Sequence, residues 1–165
     1  MFDNIGVQGA VRKAIQTEKN AMNFYELGAR LMHDKDAKRV FELLAQEERV
    51  HASHFFKAYD GSDITSFDDF MSAPPEEEST WLAAMAKTIN EGFNEQKALE
   101  LALENEQKLE TTLRETAAKI ENQEVRAVFE LNARETHNHF VVIEAEYARV
   151  MGMVHDSDMD TYVRE

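Results

Sequence analysis

The chain has 165 residues, a formal charge of −14 and no cysteine. That length builds one domain with a sizeable core, and the acidity repels nucleic-acid phosphate. The absence of cysteine excludes disulfides, thiolate catalysis and Cys-ligated zinc or iron–sulfur centres.

The N-terminus, MFDNIGVQGAVRK, lacks the apolar run of a signal peptide. No window approaches the roughly 18–20 apolar residues of a membrane span. A soluble cytoplasmic protein with no nucleic-acid or membrane partner is expected. Two Pro and six Gly leave room for long helices, and good helix formers are abundant.

The first helix is expected from about Asn4 to His33. The polar turn HDKD (33–36) follows, with Asp34 and Asp36 as candidate N-caps, and a second helix runs to about Tyr59. Segment 57–90 begins as loop, with DGSD and APP as breakers. Its EESTWLAAMAKTI stretch (77–89) forms a short helix capped near Ser79. A third helix spans about Asn94 to Glu121, and the turn ENQE (121–124) offers Asn122 as a cap. The fourth helix ends near Met151, stopped by Gly152, and 152–165 is a loose or docked tail. One domain over 1–165 follows: hairpin 4–59, crossover 60–92, hairpin 93–151 and tail.

The two hairpins are copies. VFELLAQEERVH (40–51) nearly recurs as VFELNARETHNH (128–139), and the offset of 88 extends in both directions without a gap. Glu18 maps to Glu106, His51 to His139 and Tyr59 to Tyr147, whereas Glu48 becomes Thr136. The long crossover lets the second and third long helices run parallel in an all-α four-helix bundle.

Polar groups interrupt the apolar stripes at one depth. In the first helix Val7, Val11, Ala14, Ile15, Met22, Tyr25, Ala29 and Met32 form a stripe with Glu18 at its centre. Leu99, Ala102, Leu103, Leu109, Leu113, Ala117 and Ile120 do the same around Glu106. Val40, Leu44 and Phe55 point the way of Glu48 and His51, and Val125, Val128, Asn132, Ile143 and Val150 flank His139. Glu18 and Glu48 lie 15 residues either side of the first turn, as Glu106 and Thr136 do around the second. Antiparallel helices bring such positions level. Crowded carboxylates in an apolar setting need compensation, and a divalent cation pair supplies it; oxygen donors with two imidazoles suit iron or manganese, and zinc also. The other histidines, His33, His54, His137 and His155, read as solvent-facing.

At these residues the sequence resembles the rubrerythrin branch of the ferritin-like superfamily over nearly the whole chain. The resemblance rests on Glu18 in EKNAMNFY, Glu48 and His51 in EERVH, Glu106 in ALELALENEQK, and His139. It implies a ferritin-like four-helix bundle of two repeated helical hairpins joined by a long crossover. It also implies a non-haem centre of two iron ions, with manganese or zinc possible in their place. Glu18 and Glu106 would be the bridging carboxylates, and Glu48 with His51 one Glu-x-x-His motif. Tyr25 resembles the tyrosine often found beside such sites and is the candidate catalytic residue.

Thr136 departs from the family pattern. Glu135, four residues before His139, and Glu110, one turn after Glu106 where the first copy has Met22, are the candidate replacements. Glu110 is slightly preferred, because a glutamate in place of a core methionine calls for a partner. The family's Cys-ligated rubredoxin centre has no counterpart here, so an external electron donor is implied. The implied activity is reduction of peroxide or oxidation of ferrous iron, with peroxide, dioxygen or ferrous iron as reactants, in oxidative-stress defence or iron handling. The alternative is a metal-binding protein without turnover, its second position incomplete at Thr136. A homodimer is expected, and Trp81, Leu82 and Met85 offer apolar surface for pairing or for covering their own bundle.

Overall fold

The turns carry the caps that start the long helices. Asp34 accepts backbone N–H bonds from Asp36 and Ala37, Asn94 from Lys97, and Asn122 from Val125. Asp36 itself lies within the first turn of the second helix rather than capping it. A computed structural model describes residues 5–163, with side chains described as far as Gly152. Six helices occur among the described residues: α1 (Gly6–Leu31), α2 (Lys35–Ala58), α3 (Phe67–Ser72), α4 (Thr80–Asn90), α5 (Glu95–Lys119) and α6 (Gln123–Val163).

α1 packs on α2 and α5 on α6 as two hairpins, and α2 meets α6. Contacts between α2 and α6 run in opposite directions along the two helices, from Phe55 with Phe129 to Glu47 with His139. α2 and α6 are therefore antiparallel, which makes α2 and α5 parallel. The crossover must then travel the length of the bundle. No helix among the described residues is long and apolar enough to cross a membrane.

Two ends differ from expectation. Asn4, the expected start of the first helix, lies outside the described residues, and α1 begins at Gly6 with φ +69°. α6 does not stop at Gly152 but continues to Val163. Gly152 lacks the positive φ of a helix-ending glycine, and no proline follows it. A glycine inside a helix costs only about 1 kcal/mol, which does not end a helix by itself.

The crossover is strapped to the first hairpin. Arg12 pairs with Asp63 at 2.8 Å, and Asn20 donates to Glu76. Lys19, buried on α1, donates its Nζ protons to the carbonyls of Ala73 and Pro74 at 3.0 and 3.2 Å. The segment read as loop also holds the short α3; its signal is Ser66, whose hydroxyl accepts from the Asp69 N–H, with Asp68 and Asp69 in the first turn. Ser79 caps α4 through Leu82.

α4 settles what its apolar face does within the chain. Trp81 packs edge-on against Phe24 and Tyr25, and Met85 is fully buried. These residues cover their own bundle. The close approach depends on Gly28, where an added Cβ would stand 2.7 Å from the Phe41 ring and 3.2 Å from Met85 Cε. Met85 is flexible, but Phe41 is held by Phe24 and Tyr25. Gly28→Ala should therefore destabilise the protein by about 1–3 kcal/mol through overpacking, despite its better helix propensity. Chemical denaturation checks this, and an unchanged midpoint would refute it.

Candidate metal centre

Each long helix brings one polar step of its buried stripe to the middle of the bundle. Glu18 comes from α1, Glu48 and His51 from α2, Glu106 from α5, and Thr136 and His139 from α6. None is more than 4% exposed. Aromatic layers close the chamber at both ends. Phe55 and Phe129 meet on one side at 4.8 Å between centroids. Tyr25 meets Phe24, Phe41 and Trp81 edge-on at the other.

The two imidazoles lie side by side, 4.8 Å apart and 16° from parallel. Their Nδ1 atoms turn inward. His139 Nδ1 stands 2.8 Å from Glu48 Oε1 and 3.7 Å from Glu106 Oε1. His51 Nδ1 stands 3.4 Å from Glu48 Oε2 and 3.7 Å from Glu18 Oε2. Ligand atoms of Glu48, His51 and His139 all fall within 4.8 Å of one another.

These atoms approach one another without hydrogen bonding. Among the described residues, nine buried side-chain atoms lack a hydrogen-bond partner, and all but Asn105 Nδ2 belong to this chamber. They are both oxygens of Glu18 and of Glu48, Glu106 Oε2, Thr136 Oγ1, and Nδ1 of His51 and His139. Buried polar groups are normally paired, because an orphan costs about 1–3 kcal/mol. Unpartnered polar atoms that converge on a common space are the arrangement of a ligand shell, once the imidazole protons leave.

Protonation follows from the same crowding. Burial raises Glu18 well above the usual carboxylate range, and the neighbouring Glu48 charge adds to it. Burial and Glu48 likewise raise Glu106. Burial opposes charge on Glu48 too, but its contacts with Glu18 and both imidazoles hold it ionised. Burial would lower His51, yet Glu18 and Glu48 override it and push it up to about 11. His139 is raised in the same way by Glu106, Glu47 and Glu48 against its burial. Tyr25 donates its hydroxyl proton to Glu106 Oε1, and burial together with the Glu106 charge raises it.

The structure distributes the remaining sequence candidates differently. Glu135 lies outside the chamber, with Oε2 at 2.7 Å from His51 Nε2, so the imidazole ring stands between it and the buried carboxylates. Glu110 is engaged elsewhere: Oε1 meets His137 Nδ1 at 2.8 Å, and Oε2 accepts from Arg114 at 3.2 Å. Glu110→Ala should consequently leave metal content unchanged by elemental analysis; loss of metal would restore it as a ligand. Glu47, the repeat counterpart of Glu135, is a site residue that its own stripe does not single out, and it stands 2.7 Å from His139 Nε2. His33 and His137 are exposed, His54 is half-buried against Asn132, and the side chain of His155 lies outside the described residues.

The family model for rubrerythrin matches residues 10–147. The chain belongs to the rubrerythrin family. No curated protein and no solved structure gives a significant match. The chamber fits the metal chemistry this family implies. Three buried carboxylates and two inward Nδ1 atoms form an oxygen-rich, two-imidazole donor set, and their unpartnered atoms are those a cation would satisfy.

In a rubrerythrin chamber of this kind, protons and metal compete for the same atoms. A raised histidine stabilises the metal-free fold fully below its unfolded value, near 6.5, and that contribution is lost as pH rises through about 11 for His51. The raised Glu18 and Glu106 act in the same direction, favouring the metal-free fold at low pH, while the lowered Glu48 opposes them. Metal uptake must expel the imidazole protons, so affinity rises with pH. The gap between metal-loaded and chelated melting temperatures should widen from about pH 6 to about pH 9. Thermal melts in paired buffers test it, and a constant gap contradicts it.

Proposed function

We propose that the chamber holds two iron ions and that the protein reduces peroxide or dioxygen with electrons drawn from ferrous iron or an external donor. The observation that carries this reading is the set of orphaned buried donors from all four long helices, converging between two aromatic layers. When bound, iron at this place supplies two-electron chemistry to an oxygen–oxygen bond.

The chain's own residues set the conditions. Glu18 and Glu106 face the chamber from opposite hairpins and would be the bridging carboxylates. Glu48 with His51 would hold one ion, and His139 with the Thr136 hydroxyl would face the other; Glu48 Oε1 also stands 2.8 Å from His139 Nδ1. Tyr25 holds a proton at Glu106 Oε1, beside the reacting space, where reduction of peroxide to water consumes two protons. Tyr25 is the residue best placed to deliver one. A depression of about 420 Å³ lined by Glu47, Val50, His51, Glu135, Asn138 and His139 gives small molecules and ions a route to the imidazoles. The chain's own residues include no thiol, and we take the electrons to come from ferrous iron or an external donor.

The test is direct. Iron-loaded protein should consume peroxide or oxidise ferrous iron faster than a Glu48→Ala control. Equal rates would remove the enzymatic reading.

One observation favours a second reading. Thr136 occupies the place where the repeat has Glu48, and Glu110 is engaged by His137 and Arg114. The second position then has one fewer carboxylate. A protein that binds one metal tightly and one weakly, without turnover, follows from that shortage. Elemental analysis separates the two, since two irons per chain favour the enzyme and one favours the binder.

A further inference from the structure

Glu47 and Glu135 occupy equivalent places in the two hairpins, and each reaches across to the imidazole of the other one. Glu135 Oε2 stands 2.7 Å from His51 Nε2, and Glu47 Oε2 stands 2.7 Å from His139 Nε2. A neutral imidazole carries a single ring proton. If Nε2 donates it outward to a carboxylate, Nδ1 is left with its lone pair facing inward. Both Nδ1 atoms do face the chamber, where neither has a hydrogen-bond partner. The carboxylates that would fix this state are themselves 46% and 36% exposed at the side chain, so their charge stays solvated.

We propose that Glu47 and Glu135 are a crossed pair of positioning residues, each locking the opposite hairpin's imidazole in the tautomer and orientation that offer Nδ1 to a metal. The inference rests on the reading that the chamber binds metal. It gives Glu135 a role outside the ligand set and gives Glu47 a role that its own stripe does not reveal. It also means that neither hairpin completes its imidazole ligand alone: His51 depends on α6 and His139 on α2. The antiparallel contact between α2 and α6 is then part of the site's preparation as well as of the fold.

Zinc is the suitable probe, because it is diamagnetic and leaves the ring nitrogens visible by NMR. In zinc-loaded wild type, long-range proton–nitrogen spectra should show His51 and His139 protonated at Nε2 and metal-bound at Nδ1. Glu135→Ala should free the Nε2 proton of His51 to exchange and leave that of His139 protected. Glu47→Ala should do the reverse. Each should weaken zinc binding by about 10–100-fold. Glu135→Gln and Glu47→Gln should recover part of that loss, since the amide oxygen still accepts from Nε2–H. A general loss of structure would disturb both imidazoles together and would not be recovered by glutamine.

Wild type that binds zinc beside alanine variants that bind it equally well overturns the crossed positioning and leaves the metal reading intact. So does a spectrum in which each variant perturbs its own hairpin's histidine, or in which Nε2 is the bound nitrogen. Wild type that takes up no zinc overturns the metal reading itself, and this inference with it.

Discussion

Replacing Glu18 by glutamine should raise the melting temperature of the metal-free protein and abolish tight metal uptake in the same molecule. Both oxygens of Glu18 are buried without a hydrogen-bond partner, and Glu48 stands beside them with the same charge. Without metal the carboxyl must either take up a proton or remain ionised in an apolar setting, and both are unfavourable. Glutamine keeps the shape, removes the charge and offers an N–H to Glu48. The gain should be about 1–3 kcal/mol, the usual cost of a buried unsatisfied group. For a domain of this size that corresponds to roughly 2–4 °C per kcal/mol. The same change removes one of the three buried carboxylates, so metal content should fall to background. Melting in chelator and elemental analysis provide the two readings. A lower melting temperature in chelator with undiminished metal would show that Glu18 is a structural acid instead of a ligand. The contrast is a trade between stability and function, in which a site built for a cation strains the fold that lacks one.

How far the sequence disclosed this site depended on what each feature needed. The repeat and the apolar stripes are periodic within one helix, so they were legible. Ala14, Ile15 and Tyr25 in α1, and Leu99, Leu109 and Leu113 in α5, are buried as their spacing requires. The common depth of Glu18, Glu48, Glu106 and Thr136 followed from their distance to a turn, because an antiparallel hairpin fixes height. Glu47 was hidden because its role depends on register across hairpins. It sits off the buried stripe, and nothing on α2 marks it as the partner of His139 on α6. Glu110 shows a related limit, since a stripe position says where a residue starts and not what it meets. In the metal-free fold Glu110 meets His137 and Arg114, neither of which its own stripe predicts. Gly152 shows the limit of punctuation, since a glycine ends a helix only when the backbone turns left-handed there.

Thr136→Glu should act in the opposite sense to the Glu18 substitution. Thr136 is fully buried, and its hydroxyl has no partner. It precedes His139 by the same three positions that separate Glu48 from His51. A glutamate there adds a fourth carboxylate to a chamber that already raises Glu18 and Glu106, and its extra length must find room. The metal-free protein should lose about 3–5 kcal/mol, the usual penalty for an uncompensated buried charge. With metal the balance reverses. Two divalent ions would bring four positive charges, which Glu18, Glu48 and Glu106 would leave one short of neutral and a fourth carboxylate would complete. Metal per chain should therefore rise, or the weaker position tighten, and loaded protein should recover most of the lost stability. Titration with zinc and melts with and without chelator measure both effects. If the variant is destabilised equally with and without metal, Thr136 marks a packing position, and the second metal position does not depend on a carboxylate at that point of α6.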